Sequence, residues 1–533
     1  MVPFGVALLW TWPGLAATYE VGPGQTLANI GDVPWESLAA GDEVLIHWRT
    51  DAYHEKFVIC ARGEPDNPIV IRGVPGPNGE LPVIDGQSAT TRAELDYTNA
   101  SRGVIKIGSA NNPSDTLPAY IVLEGLDVRS GRPPFTFTGP DGTETYSDNA
   151  ASIYVEKAEH LTIRQCLIHD SGNGLFIGAF DGQTQNILIE GCGVYDNGIE
   201  GSIYQHNSYT AAIGITFQYN FYGPLRADCG GNNLKDRSAG LVVRYNWLES
   251  GNRQLDLVDA EDSSVLVNHP SYSTTFVYGN VLIEPDDAGN SQMVHYGGDS
   301  GTESDYRKGT LYFFNNTVIS TRTGNTTLFR LSTNDEHAVC HNNLLYVTES
   351  GDRLAMLSSN GVLDLSHNWH KPNWTDSHSG LDGTINDDGT SVSGDAPGFE
   401  DEGNQDFHLA DGSPCINAGA DLPAAVLPDH DVAGQYVSHR AGEPRPLEPP
   451  FDIGAFERCV SGNCGSSDPD AGIGGGGGMT SSSSSGTGGS GQNGTTDWAD
   501  EDSGCGCAVV GSRVGGLSAV LLGLVALARR RRR

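Results

Sequence analysis

The chain has 533 residues, of which 38% are hydrophobic and 70 are glycine. This composition is typical of an elongated all-β protein with many turns, joined to polar low-complexity segments. The formal net charge is −36. Because that field repels polyanions, it argues against general binding to nucleic acid, and no nucleic-acid partner is expected.

The N-terminus predicts export. Residues 1–17 carry an apolar run that ends in Leu15, Ala16 and Ala17. Such a run before small residues is typical of a signal peptide with its cleavage site, although the usual basic segment before the run is missing.

One pattern recurs between residues 120 and 346, in which a short β-rich run is followed by a turn residue and a second apolar pair. Its instances are IVLEGLDV, LTIRQCLI, ILIEGCGV, ITFQYNFY, LVVRYNWL, TFVYGNVL, LYFFNNTV and AVCHNNLL. Their alignment places at one position Leu126, Cys166, Cys192, Asn220, Asn246, Asn280, Asn316 and Asn343. Repeats at such intervals predict stacked coils of short strands.

These coils predict an all-β fold, a single-stranded right-handed parallel β-helix over residues 18–458. Each coil buries its inner face only by stacking on the next, at about 4.8 Å. Asparagine at a repeated turn can take a left-handed backbone and bond to the next coil, so an asparagine ladder is expected. Cys166 and Cys192 share this inward column and are interpreted as core residues rather than a redox pair. A β-propeller is the alternative, which the variable intervals fit poorly.

The flanks carry a family resemblance. VGPGQTLANIGDVPWESLAAGDEVLIHW resembles the opening cap of secreted β-helix proteins of the pectate-lyase type, and DFHLADGSPCINAGA with FDIGAFE resembles the closing segment of bacterial β-helix proteins. The resemblance implies a capping region at 18–118, regular coils at 119–375 and a closing segment at 376–458. Because this fold hosts lyases, hydrolases, epimerases and inert surface proteins, function must be argued from a site.

The C-terminal part predicts a linker and an anchor. Residues 459–504 are rich in Gly, Ser and Asp, which is typical of a disordered spacer, and Cys459 with Cys464 is the best candidate for a small disulfide loop. Residues 505–533 combine Cys505 and Cys507, a membrane-length apolar segment and five arginines.

This tail predicts a transmembrane helix with the arginines on the cytoplasmic side. It resembles the myxobacterial C-terminal sorting tail (MYXO-CTERM type). That resemblance implies surface sorting, with Cys505 or Cys507 as the processed anchor residue; a plain membrane anchor is the alternative. The expected protein is an exported, surface-associated monomer.

Ionisable residues recur at a similar distance past the ladder. Fourteen or fifteen residues beyond Cys192, Asn220, Asn280 and Asn316 stand His206, Lys235, His295 and Arg330, and the intervening coil offers Asp256 in QLDLV. We expect these five side chains to form one column on an outer sheet face, where long polysaccharides lie in β-helix proteins.

The column favours a polysaccharide lyase. Elimination needs neutralisation of a uronate carboxylate, a base for the C5 proton and a proton for the leaving oxygen. Lys235, His206 or His295 are the candidate bases, with Arg237 and Arg253 as cationic neighbours that favour a neutral lysine. The expected substrate contacts come from Arg226, Arg244, Arg330 and Tyr209, with Arg237 also attracting the polyanion.

LKDRS…VRYN is similar to the lysine-containing segment of β-helix alginate and chondroitin lyases. In those enzymes a catalytic arginine follows about one coil later, where this chain has Asp256, and a serine follows the lysine, where this chain has Asp236. We expect Asp236 to pair with Lys235 and to favour the ammonium form, which opposes a base role.

Two alternatives stay open. Asp256, Asp259 and Glu261 could serve glycoside hydrolysis, as in β-helix polygalacturonases, or Asp259 and Glu261 could hold Ca²⁺. A non-catalytic, glycan-binding or adhesive surface protein would need only surface ion pairs such as Lys235 with Asp236 and Arg253 with Asp256.

Overall fold

The computed structural model describes residues 16–286, 288–462 and 464–466. Most of the predicted signal peptide, the linker from residue 467 and the tail with Cys505 and Cys507 lie outside these residues. No helix in the described part of the chain is long and apolar enough to cross a membrane.

Three long sheets form the fold, and each regular coil contributes one strand to sheet 1, then sheet 2, then sheet 3. Sheet 1 contains Thr18–Val21, Glu43–His47, Ile69–Val74, Ala119–Glu124, Glu159–Arg164, Gln185–Glu190, Ile213–Gln218, Ala239–Arg244, Thr274–Tyr278, Thr310–Phe314, His337–His341, Val362–Ser366 and Thr384–Asp387. Sheet 2 contains Val83–Asp85, Asp127–Arg129, Leu167–His169, Gly193–Tyr195, Phe221–Tyr222, Trp247–Glu249, Val281–Glu284, Thr317–Ser320, Leu344–Val347, Trp369–His370 and Val392–Ser393.

Sheet 3 is parallel except at its N-terminal edge, where a hairpin joins it. It contains Gly142–Thr145, Thr136–Gly139, Ala89–Thr91, Glu55–Ile59, Gly103–Ile107, Ala151–Val155, Asn173–Ile177, Ser208–Thr210, Leu234–Asp236, Leu255–Leu257, Gln292–Tyr296, Thr326–Leu331 and Leu354–Leu357. The predicted all-β parallel β-helix is therefore confirmed.

Short elements complete the described residues. Four antiparallel pairs are Asp96–Tyr97 with Ala110–Asn112, Phe399–Asp401 with Asp406–Leu409, Gly434–Val437 with Ala441–Pro444, and Pro446–Leu447 with Gly465–Ser466. One α-helical turn, Ser264–Val267, and six 3₁₀ turns account for the helices: Ile30–Asp32, Ala100–Arg102, Phe180–Gly182, Glu303–Asp305, Gly351–Arg353 and Glu402–Asn404.

Alternating burial explains why the repeats fold as strands. In Ala119–Glu124 every second residue is buried, and Ile121 and Leu123 face the interior of the coil. The equivalent residue of the next coil, Leu161, pairs with Ile121 and is fully buried. Stacking these side chains forms one continuous apolar core along the helix.

The asparagine ladder forms at the corner between sheets 1 and 2. Each ladder side chain donates from Nδ2 to the Oδ1 of the next at 2.9–3.1 Å, and that Oδ1 also accepts the backbone N–H of the preceding asparagine. The members are Asn220, Asn246, Asn280, Asn316, Asn343 and a sixth residue, Asn368, that the repeat alignment did not include.

One detail of the ladder prediction is wrong. The left-handed backbone lies on the residue before each ladder asparagine, for example Tyr219 at φ 55° and Tyr245 at φ 54°. The bend is made one residue earlier because the ladder amide must point inward along the corner, where its partners on the next coil lie.

The cysteine predictions hold. Cys459 and Cys464 form a disulfide. Cys166 and Cys192 are free and fully buried in the core. Burial, with Cys192 beside it, raises the pKa of the Cys166 thiol well above its usual range, so this thiol packs as a small hydrophobe.

The closing segment runs along the outer face of sheet 2. Phe407, Tyr436 and Phe456 join an apolar cluster with Trp247 and Trp369, whose side chains point outward from sheet 2. The rings of Trp247 and Phe407 stack with centroids 5.5 Å apart. The closing segment thus covers sheet 2, while the outward side chains of sheet 3 line an open groove.

Replacing the central ladder residue tests the role of these bonds. Asn280→Ala removes the acceptor of the Asn246 backbone N–H and the donor to Val243 O, all in a fully buried corner. We expect a loss of roughly 3 kcal/mol in unfolding free energy, measured by chemical denaturation. The control Asn386→Ala, at an exposed position of sheet 1, should change it by less than about 0.5 kcal/mol. Equal effects of the two substitutions would contradict a structural role for the ladder.

Candidate functional site

Outward-facing residues of adjacent sheet 3 strands share one register. In chain order this register holds Phe176, Tyr209, Lys235, Asp256, His295 and Arg330. Their strand neighbours Leu234, Leu255 and Val294 face the core, because successive residues of a strand point to opposite faces. Four members of the predicted column therefore lie together, on four consecutive coils.

His206 is the exception, and Tyr209 holds the position predicted for it. The segment between Val194 and Tyr209 is two residues longer than its equivalent between Tyr222 and Lys235. A count of fourteen residues from Cys192 therefore reaches His206 in the loop, before the strand Ser208–Thr210 begins. His206 nevertheless lines the same groove.

The column forms the floor of a groove of about 540 Å³. Its charged lining comprises five cations and three carboxylates: Arg102, Lys235, Arg237, Arg253, Arg330, Asp256, Glu261 and Asp299. In a chain of net charge −36, this excess of cations makes the groove a local site for anions.

Asp256 is the centre of the charged cluster. Its carboxylate accepts from Lys235 Nζ at 2.6 Å, Asn232 Nδ2 at 2.8 Å and His295 Nδ1 at 2.8 Å, and Arg253 Nη1 lies 3.8 Å away. Burial alone would raise the pKa of Asp256, but Lys235 and His295 outweigh it and hold that pKa well below its usual range. Asp256 is therefore a permanent anion that fixes the cations around it.

Lys235 lies between two carboxylates. Its Nζ contacts Asp256 Oδ2 and, at 2.5 Å, Asp299 Oδ2. Asp299, whose side chain is one-third exposed, also accepts from Arg237 Nη2 at 3.0 Å. These two ion pairs hold the Lys235 side chain in place on the floor of the groove.

The predicted pair of Lys235 with Asp236 is wrong. Asp236 is the next residue in the strand and points into the helix, where Thr210 Oγ1 donates to it at 2.7 Å and Arg307 Nη2 lies 3.4 Å away. Burial raises the pKa of Asp236, against the opposing effect of Arg307. Asp256 and Asp299 take the place of Asp236 beside Lys235.

Arg237 forms ion pairs with two carboxylates of the groove, Glu261 and Asp299. Its Nη2 contacts Glu261 at 2.9 Å and Asp299 at 3.0 Å, and its Nε donates to the Tyr209 hydroxyl at 3.0 Å. Asp259 is fully buried and accepts the backbone N–H groups of Asp299 and Ser300, so it holds that loop in place.

The predicted calcium ligands do not fit a calcium site. Asp259 and Glu261 both turn toward the guanidinium of Arg237, a cation that occupies the space between them. In the described part of the chain, the only group of three residues with suitable ligand spacing is Glu448 with Cys459 and Cys464, and those cysteines form the disulfide.

The two histidines of the groove are neutral. Burial, together with nearby Lys235, lowers the pKa of His206 to about 3, and its Nδ1 accepts the Asn232 N–H at 2.9 Å. The remaining ring nitrogen, Nε2, therefore carries the proton and is a donor. In His295 both nitrogens are engaged, by Asp256 at 2.8 Å and Ser332 Oγ at 3.0 Å, and burial lowers its pKa as well. Neither ring offers a free lone pair, so the predicted base role fits neither.

Two predicted substrate contacts lie elsewhere. Arg244 is buried on sheet 1, where it donates to Gln218 Oε1 at 2.8 Å, because it precedes the ladder asparagine rather than following it. Arg226 contacts Asp170 and the backbone of Ser171 and does not line the groove.

Several groove residues were missed from sequence, among them Phe176, Gln205, Asp299, Asn232 and Arg102. Asp299 follows the His295 strand in the loop GGDS, a signal that a search for polar residues after each strand would have found. Asn232 lies two residues before the Lys235 strand. Arg102 comes from a 3₁₀ turn of the capping region, and no sequence signal links it to the column.

Comparisons with known proteins show resemblance in fold only. No protein-family model matches the chain, and no curated protein matches it. Similar solved structures include pectate lyase Pel9A, with 13% identity and a TM-score of 0.45 over 83% of this chain and 96% of that one. An alginate lyase from Paenibacillus sp. has 13% identity and a TM-score of 0.40, over 66% and 99%. A lacto-N-biosidase from Eubacterium ramulus has 12% identity and a TM-score of 0.35, over 69% and 68%.

The neutral state of His206 predicts a pH dependence. Between the unfolded pKa of about 6.5 and the folded pKa of about 3, the unfolded chain binds a proton that the folded chain does not. His206 therefore does not reduce the unfolding free energy above pH 6.5. Below that pH the unfolding free energy falls by about 1.4 kcal/mol per pH unit until the pH reaches the folded pKa. His206→Gln, which keeps an acceptor for the Asn232 N–H, should lack this component.

The measurement is unfolding free energy from pH 7 to pH 4 for both proteins. The difference between them should grow in favour of the variant as the pH falls. A difference independent of pH would show that His206 has the same pKa in the folded and the unfolded chain.

Proposed function

We propose that this protein binds an acidic polysaccharide along the outer face of sheet 3 and cleaves it by β-elimination at Lys235. The observation that carries the proposal is a cation-lined groove in a strongly acidic protein, with ionisable side chains in one register. A long polymer fits this face because the groove is open and follows the stacked coils.

Arg253 and Arg330 supply the contact for a uronate carboxylate. Arg330 is exposed and makes no ion pair with any described residue. Burial lowers the pKa of Arg253 and the nearby Arg330 lowers it further, although Asp256 opposes them. A substrate carboxylate between the two guanidinium groups relieves the repulsion between Arg253 and Arg330. The two cations neutralise its charge, which makes the C5 proton more acidic.

Lys235 and Tyr209 supply the proton transfers. Lys235 loses a proton to solvent, and its amine then takes the C5 proton of the uronate while Asp256 and Asp299 hold the side chain in place. The C4–O bond breaks as the C4–C5 double bond forms, and the Tyr209 hydroxyl protonates the leaving oxygen. Tyr209 is oriented by Arg237 Nε, which leaves its own O–H free to donate.

Hydrolysis by the predicted acidic residues has less support. A glycosidase needs one protonated carboxyl group. Asp256 is held as an anion by its cationic neighbours, and Asp259 is buried beneath the Asp299 loop. Burial raises the pKa of Glu261, against the opposing effect of Arg237, but its carboxylate is engaged by Arg237 Nη2 at 2.9 Å.

Export and surface attachment are part of the proposal and rest on residues 1–17 and 505–533. We propose a monomer that meets its polymer outside the cell. We assign no calcium site, since Arg237 fills the space between the predicted ligands Asp259 and Glu261. Calcium is therefore varied in the assay.

The direct test is formation of unsaturated uronate from pectate, alginate or chondroitin by the full chain, followed by ultraviolet absorbance with and without added Ca²⁺. We expect activity without added calcium. Lys235→Ala should lower kcat at least 100-fold, the usual contribution of a positioned acid or base. The control Lys371→Ala should retain activity, because its ammonium contacts the backbone carbonyls of Thr348 and Glu349 and the Tyr346 ring, away from the groove.

Other outcomes separate the alternatives. New reducing ends without the absorbance would show hydrolysis. Polymer binding without any product would show an adhesive protein. Full activity of Lys235→Ala would exclude the assigned reaction centre.

A further inference from the structure

We propose that the N-terminal half of the groove is a separate subsite for an uncharged sugar ring, built from Phe176, Tyr209, Phe180 and Tyr204. This inference rests on the proposed function and narrows it. The substrate it implies is a mixed polymer, in which an acidic sugar at Lys235 is flanked by an uncharged sugar.

The outward register changes its chemistry at Lys235. On the three coils directly before Lys235 it carries the aromatic residues Tyr154, Phe176 and Tyr209, and from Lys235 onward it carries charged or polar groups. With strands about 4.8 Å apart, Phe176 lies roughly 10 Å from Lys235 along the helix, a distance of two coils. The rings of Phe176 and Tyr209 meet edge to face at 5.7 Å, and Tyr154 stacks beneath Phe176 at 4.9 Å. They form a rigid aromatic floor.

Exposed apolar side chains rise beside this floor. Phe180 is 40% exposed and lines a second cavity of about 530 Å³, which shares Phe176 and Tyr209 with the charged groove. Ile203 and Tyr204, 61% and 74% exposed, line the charged groove next to the same two rings. Apolar side chains gathered around a concave surface mark a binding site, and its continuity with the groove assigns the same polymer as occupant.

The polar groups here select against a second carboxylate. Gln205 is buried, lines the groove, and its Oε1 accepts no hydrogen bond from any described residue. That oxygen needs a donor, which a sugar hydroxyl or acetamido N–H provides and a carboxylate does not. Asp181 and Asp262 line the second cavity together with Arg102 and Arg237. Arg237 is already paired with Glu261 and Asp299, and Arg102 packs over the Phe176 ring at 5.1 Å.

The test compares two classes of polymer. The full chain is assayed for binding and kcat/KM on unsulfated chondroitin, where uronate alternates with an N-acetylhexosamine, and on polygalacturonate, where every sugar is acidic. We expect chondroitin to be preferred by at least about tenfold. Phe176→Ala should lower kcat/KM on chondroitin about tenfold, which corresponds to about 1.4 kcal/mol, and should change kcat/KM on polygalacturonate little.

Tyr204→Ala gives an independent variant, since a side chain that is 74% exposed contributes little to folding. Like Phe176→Ala, it should lower the ratio of kcat/KM on chondroitin to kcat/KM on polygalacturonate. The matched control is Tyr120→Ala, whose ring stacks on His160 on sheet 1 and lies outside the groove. It should leave the ratio of the two polymers unchanged.

The outcomes separate the two proposals. A preference for chondroitin that Phe176→Ala and Tyr204→Ala reduce supports the subsite. Equal or better use of polygalacturonate, with variants that do not change the ratio, overturns the subsite and leaves the proposed function standing. Failure to bind either polymer overturns the subsite, and failure to bind alginate as well overturns the proposed function.

Discussion

Each coil must turn from sheet 1 to sheet 2 without leaving a backbone N–H unbonded in a dry interior, where that loss costs about 1–3 kcal/mol. The ladder meets this need, because each asparagine accepts from the backbone and side chain of the preceding coil and donates to the next. The bonds from Asn246 to Asn280 and from Asn280 to Asn316 are repeated at nearly constant length. One polar contact, repeated over the six consecutive coils from Asn220 to Asn368, therefore fixes the register of this part of the helix.

The arrangement on sheet 3 follows from that register. Lys235, Asp256 and His295 come from three consecutive coils, and parallel pairing brings them into direct contact. A buried cluster of charges contributes little to folding stability, since apolar side chains that fill the same space often give a protein of equal or greater stability. The cluster lies at the floor of an open groove, beside the exposed Arg330, which is where a polyanion would meet it. The closing segment covers sheet 2 and leaves this face available.

The period of the repeats predicted the sheets and the ladder because every coil satisfies the same packing and hydrogen-bond requirements. Positions that depend on loop length were less predictable, and His206 was displaced by two extra residues before its strand. Asp236 could have been placed correctly from alternation alone, since it follows Lys235 in a strand and must face the opposite side. Asp299 could have been found as a candidate after its strand, but its contact with Lys235 required the tertiary structure, because its loop folds back through contacts with Asp259.

The most direct measurement is a crystal structure of the inactive Lys235→Ala variant with an acidic oligosaccharide. The account predicts sugar density along the outer face of sheet 3, with one carboxylate between Arg253 and Arg330 and a ring against Phe176. Oligosaccharide bound to sheet 1, or bound with its carboxylates away from both arginines, would contradict it.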